Sequence, residues 1–550
     1  MIILGINSGW HDSSAAIIED GKILHLIETD RVSRVKQAMK QDPSLSVVAC
    51  LNEAGMTVDD IDILAVGWDE NILDKMYNTG LSIDDHRDRH LPPKLLPRKR
   101  NPEVVFVPHH FAHAASGMYT SGFDRSAVLV VDGRGECQST SIMIGSQEGL
   151  ELVREWPIAE SLGNYYGYAA EWSGFGFWSP GKLMGLAPYG RSTGNTIISV
   201  GPDGYHFVDG KPADPDDIDR QEREHIELLK AWYKSQYPFA EGNPGDIMAH
   251  ANFAATVQSA FEEAMYRLVE MALEAANCPN LVIAGGSGQN CTFNGALSRS
   301  GVVSEVYVPP VTHDAGVGLG AALYVDNQRR KSKTTNPRLP HAYFGHTPSE
   351  ESIERAVARS GFPCRRLDDS ELLPLVASRL ASGDIVGWFH GTAEIGQRAL
   401  GGRSMLCDPR DRNNLRRVNE AKGREIWRPL APSVLEEYVH EFFDGPHPYI
   451  AQFMLAALPV RKEAWHRIPA TVHVDGSARP QWVRKDTNPR YWTLIDEFRK
   501  LTGVPVVMNT SFNLASEPIV HTPEDAIRSF ARSDMAILVL GNHFIEKPIR

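Results

Sequence analysis

One pattern occurs twice in the first third of the chain, and it restricts what the rest can fold into. The segments IILGI, NSGWHDSS, AAIIED, GK and ILHLIE run as strand, polar loop, strand, tight turn and strand. The segments AVLVV, DGRGECQS, TSIMIG, SQEG and LELVRE repeat that order with similar lengths. In each copy the opening loop is rich in Gly, Ser and Asp, so its backbone N–H groups can surround an anion. Two unrelated hairpins are the alternative to a duplication. The length of 550 residues exceeds what one core supports, so two or three domains are expected.

A duplicated unit of this kind fits the actin/hexokinase/Hsp70 architecture, in which a nucleotide lies between similar lobes. Later segments are compatible with an α/β chain. Between about 250 and 276, Val257, Phe261, Ala264, Leu268 and Met271 make one apolar stripe and predict a long helix. LVIAGGSGQN reads as a buried strand turning through Gly285 and Gly286 into a helix. Those glycines remove side chains where backbone must approach something closely, either a nucleotide or ordinary packing. Residues 326 to 340, DNQRRKSKTTNPRLP, are polar and proline-punctuated and read as a linker. The expected organisation is therefore 1–330, a linker 331–340, and a second α/β domain 341–550. In the latter, PLVASRLASGDIVGWFHG is a helix then a strand, PVVMNTSFN and MAILVLGNHF are strands, and PEDAIRSFARS is a helix.

The sharpest chemical signal is HHFAHAASG. His109 and His113 are four apart, so on a helix both imidazoles leave one face and can share an ion. Asp132 ends an apolar run and Asp314 opens HDAGVGLGAA. Two imidazoles and two carboxylates form a mixed N/O set suited to Fe, Mn or Zn. In the second domain, Arg398, Arg403 and Arg410 lie among small residues, and Lys422, Arg424 and Arg428 lie beside glycine and proline. Guanidinium groups in fixed turns suit phosphate; solvated surface charge is the bland alternative. Asn509, Thr510, Ser511 and Asn513 offer short polar groups for a nucleotide or small substrate, whereas His473, Asp475, Arg479 and Gln481 could mark a hairpin and no more.

Taken in order, ten motifs resemble the O-carbamoyltransferases of the NodU/CmcH type over nearly the whole chain. They are GWHDSSAAI, HHFAHAAS, VVDGRGE, GKLMGLAPYG, IAGGSGQNCTFN and HDAGVGLGAA, then GWFHGTAEIGQRALGGRS, KGREIWRPLAPSVL, HVDGSARPQ and NTSFNLASEPIV. The resemblance implies an N-terminal actin-like domain similar to the tRNA threonylcarbamoyl-transfer enzymes and a C-terminal YrdC-like domain. It implies that carbamoyl phosphate and ATP, with Mg2+, give carbamoyl adenylate in the C-terminal domain. The N-terminal domain then passes the carbamoyl group to a hydroxyl of a small natural product. By motif, His109, His113, Asp132 and Asp314 would hold iron(II) or another first-row divalent metal. Lys422 and Arg428 match the basic adenylation residues, Arg398 the other arginine motif, and His11 the histidine near the acceptor hydroxyl. Asp12, Gly133, Lys182, Gly285, Gly286 and Asn290 in the first domain complete the expected substrate and nucleotide contacts, with Arg403, Arg424, His473, Asn509, Thr510, Ser511 and Asn513 in the second. Departures stand at Pro180, where the family commonly has Glu, at Gln397 in place of proline, and at Ser287, Gly288 and Gln289.

Composition trims the alternatives. A net charge of -13 argues against a large nucleic-acid footprint, and no run of 18 apolar residues predicts a membrane span. Six scattered cysteines without a C-x-x-C pair, and an N-terminus unlike a signal peptide, predict reduced thiols in the cytoplasm. Threonylcarbamoylation of tRNA and a non-enzymatic nucleotide switch are the competing readings. The switch leaves the arginine and NTSFN clusters without a role.

Overall fold

The computed structural model describes residues 1–210, 217–238, 247–330 and 336–548. The first duplicated unit contributes β1 (Ile2–Asn7), β2 (Ser14–Glu19) and β3 (Lys22–Glu28), joined by β4 (Ile63–Val66) and β5 (Glu103–Phe106). The second contributes β6 (Arg125–Val131), β7 (Gln138–Ser146) and β8 (Leu150–Pro157). A small hairpin, β9 (Ile198–Gly201) and β10 (Gly204–Phe207), precedes β11 (Asn280–Ala284) and β12 (Glu305–Tyr307). The two large sheets have strand orders β3-β2-β1-β4-β5 and β8-β7-β6-β11-β12. Counted from the first strand of each, both read third, second, first, fourth, fifth, so the duplicated sequence pattern becomes a duplicated, actin-like α/β topology. The parallel strands β1, β4, β6 and β11 are apolar runs buried on both faces, as parallel sheets demand. The outer strand β8 is mostly exposed and carries Glu151, Arg154 and Glu155, charges that blunt a free sheet edge.

The predicted long helix runs Ile247–Ala276. Val257, Phe261, Ala264 and Leu268 are fully buried, but Ala272 replaces the half-buried Met271 at the end of the stripe. A 3.6-residue turn rotates a regular four-and-three pattern slowly off its face, which accounts for the shift. In the second half the sequence shows three strand segments, at Val386–Phe389, Val506–Ser511 and Ile537–Leu540, and the helices Asp369–Ala381 and Pro523–Ala531, but not the sheet the strands make. It contains β13 (Cys364–Arg366), β14 (Val386–Phe389), β15 (Arg403–Cys407), β16 (Ala431–Leu435) and β19 (Gln481–Val483), with β20 (Val506–Ser511), β21 (Ile537–Leu540) and β22 (His543–Glu546). Their order is β13-β22-β21-β14-β15-β20-β16-β19, and the short pair β17 (Leu458–Pro459) and β18 (Ser477–Ala478) stands apart. Phe389, Met405, Phe512, Phe530 and Leu538 build the core beneath the sheet, with the helix Pro523–Ala531 laid on it.

Two expectations about organisation change. Residues 326–329 are not linker: the helix Val317–Arg329 runs through them and buries Asp326 and Asn327. Residues 331–335 of the expected linker lie outside the described residues. The chain also divides by contacts differently from a single cut, into one unit of 1–7, 61–89 and 102–339 and another of 8–60, 90–101 and 340–550. The segment 8–60 joins the second unit through long-range bonds no local pattern reports, among them Leu26 N–H to the Phe344 carbonyl at 3.0 Å and Arg31 to the Gly396 carbonyl at 2.7 Å.

Candidate functional site

The four predicted metal ligands converge. His109, His113, Asp132 and Asp314 are buried, and one ligand atom from each lies within 4.8 Å of all the others. His109 Nε2 stands 3.5 Å from Asp132 and 3.8 Å from Asp314, and His113 Nε2 stands 3.7 Å and 3.5 Å from the same oxygens. A tetrahedral ion with ligands about 2.1 Å away would space those ligands about 3.4 Å apart. Neither Nε2 has a hydrogen-bond partner. Leaving two buried ring nitrogens unsatisfied is costly, and a cation at their centre would satisfy both. The donor set and its spacing therefore fit a metal.

Local structure aims each ligand. His109 opens the helix His109–Ser121, and its own N–H donates to Glu136 Oε1 at 2.9 Å, an acceptor shared with Asp69 N–H. A buried carboxylate here satisfies an orphan donor at a helix start and favours its positive end. His109 Nδ1 lies 3.1 Å from the Gly67 carbonyl, which can only accept. That bond places the proton on Nδ1 and leaves the Nε2 lone pair for a metal. Trp68 stacks on the same ring at 3.9 Å. Asp132 follows β6; Gly286 N–H donates to its Oδ1 at 2.9 Å, turning Oδ2 toward the histidines. Gly285 sits at φ +88°, where a Cβ would strike the Val131 carbonyl, so the glycine turn serves the Asp132 strand end. Asn290, a nucleotide candidate by sequence, caps the helix Cys291–Ser300 and pairs its amide with Gln258 at 3.1 Å in both directions. Gly133 accepts from Ser161 Oγ at 2.7 Å, and Lys182 lies over the Phe175 ring at 5.8 Å.

The charges of the quartet are mutually sustained. Burial opposes a proton on His109, yet Asp132 and Asp314 outweigh it and lift its pKa to about 10. Burial likewise opposes charge on Asp132, and the two histidines hold its carboxyl well below the usual range. Metal ions compete with those protons.

In the second unit Lys422, Arg424 and Arg428 form a crowded cationic cluster. Lys422 is buried at the end of the helix Asn413–Ala421. Its ammonium donates to the Ser511 carbonyl, to the Asn513 carbonyl at 2.9 Å and to Asn513 Oδ1 at 3.0 Å. Burial, then Arg424 and Arg428, holds its pKa well below the ordinary lysine range. Arg424 is depressed by burial, Arg428 and Arg479, and Arg428 is depressed by burial with Glu425 opposing. Arg424 Nη2 is buried without a partner. Neighbouring cations that weigh against one another would be stabilised by an anion among them.

Other candidates fall elsewhere. Arg403 spends its guanidinium on the carbonyls of His390, Gly391, Gly402 and His346, at 3.0 to 3.1 Å, and lies over Phe389 at 3.8 Å. These bonds hold the buried guanidinium inside the fold. Asn509 is equally enclosed, donating to Ala399, Ser433 and Gln481. Thr510 and Ser511 continue β20 opposite Met405 and Ser404, and Arg398 is half-buried. His473 closes a turn onto Ser477 at 2.8 Å, while the strand that follows pairs with β17. His11 Nδ1 lies 3.0 Å from Asp12 Oδ2, with the imidazole about a quarter exposed at 23%. Glu136, Gly67 and Trp68 escaped the sequence reading; only the acid in VVDGRGE offered a signal.

Comparison with known proteins accords with both halves. The family described as Carbamoyltransferase N-terminus matches residues 2–92 and 71–323, and Carbamoyltransferase C-terminus matches 377–547. Nodulation protein NolNO of Sinorhizobium fredii is 35% identical over 98% of this chain and 80% of its own. Nodulation protein U of Bradyrhizobium diazoefficiens is 30% identical over 92% of this chain and 90% of its own. Among solved structures, full-length HypF in a phosphate- and nucleotide-bound form aligns with 60% of this chain and 56% of its own, at 16% identity and TM-score 0.35. P. abyssi Sua5 complexed with L-threonine aligns with 33% of this chain and 49% of its own, at 15% identity and TM-score 0.24. With both family halves matched in order along the chain, the protein belongs to the carbamoyltransferase family.

Proposed function

We propose that the chain is an ATP-dependent O-carbamoyltransferase with two reaction sites. The observation that supports this is the cluster of Lys422, Arg424 and Arg428, in which a buried Arg424 Nη2 has no partner and an anion would offset the opposed charges. Carbamoyl phosphate loses phosphate to water, the resulting carbamate oxygen attacks the α-phosphorus of ATP with Mg2+, and pyrophosphate leaves. The carbamoyl adenylate is a mixed anhydride. Basic side chains placed where charge moves between phosphoryl oxygens stabilise that transfer. An acceptor alcohol then attacks the carbamoyl carbon, forming the carbamate ester and releasing AMP.

The second step belongs to the N-terminal half, where His109, His113, Asp132 and Asp314 would hold a first-row divalent metal, iron(II) by family resemblance. Such an ion supplies Lewis acidity toward a bound oxygen. His11 takes the proton of the acceptor hydroxyl at Nε2, with Asp12 orienting the ring through Nδ1. The acceptor is a small natural product rather than nucleic acid; the reading is supported by the net charge of -13. Lys422→Ala or Arg428→Ala is expected to lower pyrophosphate release from ATP and carbamoyl phosphate by roughly two to three orders of magnitude, with metal content unchanged. Wild-type release by either variant would remove these residues from the adenylating site, and a tRNA gel shift would favour the nucleic-acid reading.

A further inference from the structure

Two helices that follow one another in the chain, Glu70–Tyr77 and Ile83–His90, enclose a set of side chains that the carbamoyl chemistry does not use. His86 and His90 are four apart, so both imidazoles leave one face of the second helix, while Glu70 opens the first. Glu70, His86 and His90 are buried, at 5%, 1% and 1% exposure, and one ligand atom from each lies within 4.8 Å of the other two. Groups of this kind are seldom buried so deeply unless they are paired or coordinate a metal. The His86 ring is fixed from its far side. Its Nε2 lies 2.7 Å from Asp74 Oδ2, and Asp74 Oδ1 accepts from Thr79 Oγ1. A carboxylate only accepts, so Nε2 carries a proton and the neutral ring turns the Nδ1 lone pair the other way.

His86 Nδ1 is buried, makes no hydrogen bond and stands 3.6 Å from Glu70 Oε2. A shared proton would draw such a pair to about 2.8 Å, whereas two ligands of a tetrahedral zinc ion sit about 3.4 Å apart. Charge points the same way. Glu70 and Asp74 together carry two negative charges, which a divalent cation balances and one protonated imidazole only halves. Arg89 lies 3.9 Å from Glu70 Oε2, but its side chain is 56% exposed and offsets little. We propose that Glu70, His86 and His90 form a second metal centre, one that takes zinc, with Asp74 as the positioning residue for His86. Two imidazoles and a carboxylate suit zinc, and a carboxylate behind a ligating ring is its usual support. The centre braces the neighbouring quartet. Asp69 N–H, at the start of the first helix, donates to Glu136 Oε1 at 2.8 Å, the same oxygen that accepts from His109 N–H. An ion that ties the two helices together steadies the turn whose Gly67 carbonyl faces His109 Nδ1.

The centre is independent of the proposed reactions, and its test reads zinc rather than turnover. Metal-free protein is titrated with Zn2+ against a competing chelator, and with Co2+ for its visible absorption. The proteins are wild type, His109→Ala/His113→Ala, His86→Gln/His90→Gln and Asp74→Asn, each checked for folding by circular dichroism and melting. Wild type should bind about two equivalents and each double variant about one. Asp74→Asn keeps every ligand and should weaken the second equivalent about 10–100-fold. A folded His109→Ala/His113→Ala protein that binds no zinc overturns the proposal. Zinc affinity in Asp74→Asn, or stoichiometry in His86→Gln/His90→Gln, equal to wild type overturns it too, and would leave His86 a protonated bridge between Asp74 and Glu70. One equivalent that survives the loss of His109 and His113, and disappears with His86 and His90, upholds this centre even where the quartet binds none.

Discussion

At the scale of single residues, the buried quartet of His109, His113, Asp132 and Asp314 balances its charges through protons. In metal-free protein His109 keeps a pKa near 10 against an ordinary value of 6.5. A raised folded pKa contributes stability that is fully present below about pH 6.5 and is lost as pH rises toward 10. Asp132, depressed below its ordinary 3.8, contributes stability above about pH 4 that is lost on further acidification. Melts of chelator-treated protein should therefore peak between about pH 4 and 6.5 for this term and fall in alkali, whereas His109→Ala with His113→Ala should flatten the alkaline limb. Equal alkaline slopes in both proteins would remove the quartet from the account. His11 gives a second test at this scale. Loss of a general base typically costs about two to four orders of magnitude. His11→Asn should thus retain pyrophosphate release and lose carbamoylated product, and product formation at the wild-type rate would reduce His11 to a loop residue.

At the scale of elements, glycines set the distances that bring those residues together. In the helix Val317–Arg329, a Cβ at Gly320 would lie less than 3.0 Å from the Ala112 carbonyl, and one at Gly5 would lie equally close to the Gly318 carbonyl. The helix is pressed between β1 and the His109–Ser121 helix, which places Asp314, just before it, beside His109 and His113. Gly320→Ala must push the two helices apart, at a cost of roughly 1–3 kcal/mol. The expected outcome is a lower melting temperature together with reduced metal content; an unaltered metal stoichiometry would show that the quartet tolerates the displacement. The i, i+4 histidines, the strand end carrying Asp132, the glycine-rich run around Asp314, and the repeated strand–loop–strand pattern were legible because each is a local pattern or a short period. The intramolecular bonds of Arg403 and Asn509 were not legible, because an arginine among glycines looks the same in sequence whether it faces phosphate or backbone carbonyls. Only the tertiary fold distinguishes the two, through the four carbonyls that surround Arg403.

At the scale of the whole molecule, the proposed reading puts two chemistries on one polypeptide. By contacts, the segment 8–60 groups with residues 340–550 and not with the strands that follow it in sequence. Sequence order hides this, since Glu28 accepting from Gly396 N–H at 2.8 Å spans 368 positions. His11 consequently belongs by contact to the unit that holds Lys422, although its motif lies at the start of the chain. Among the described residues no helix is long and apolar enough to cross a membrane. The central claim is that adenylate formation and carbamoyl transfer use separate residue sets. The most direct measurement follows pyrophosphate and carbamoylated product together from ATP and carbamoyl phosphate, in wild type, Lys422→Ala and the His109→Ala/His113→Ala double variant. The account predicts that the double variant loses the quartet's metal and product but releases pyrophosphate at the wild-type rate, while Lys422→Ala loses both products and keeps its metal. Pyrophosphate release that disappears with the histidines, or survives without Lys422, would contradict it.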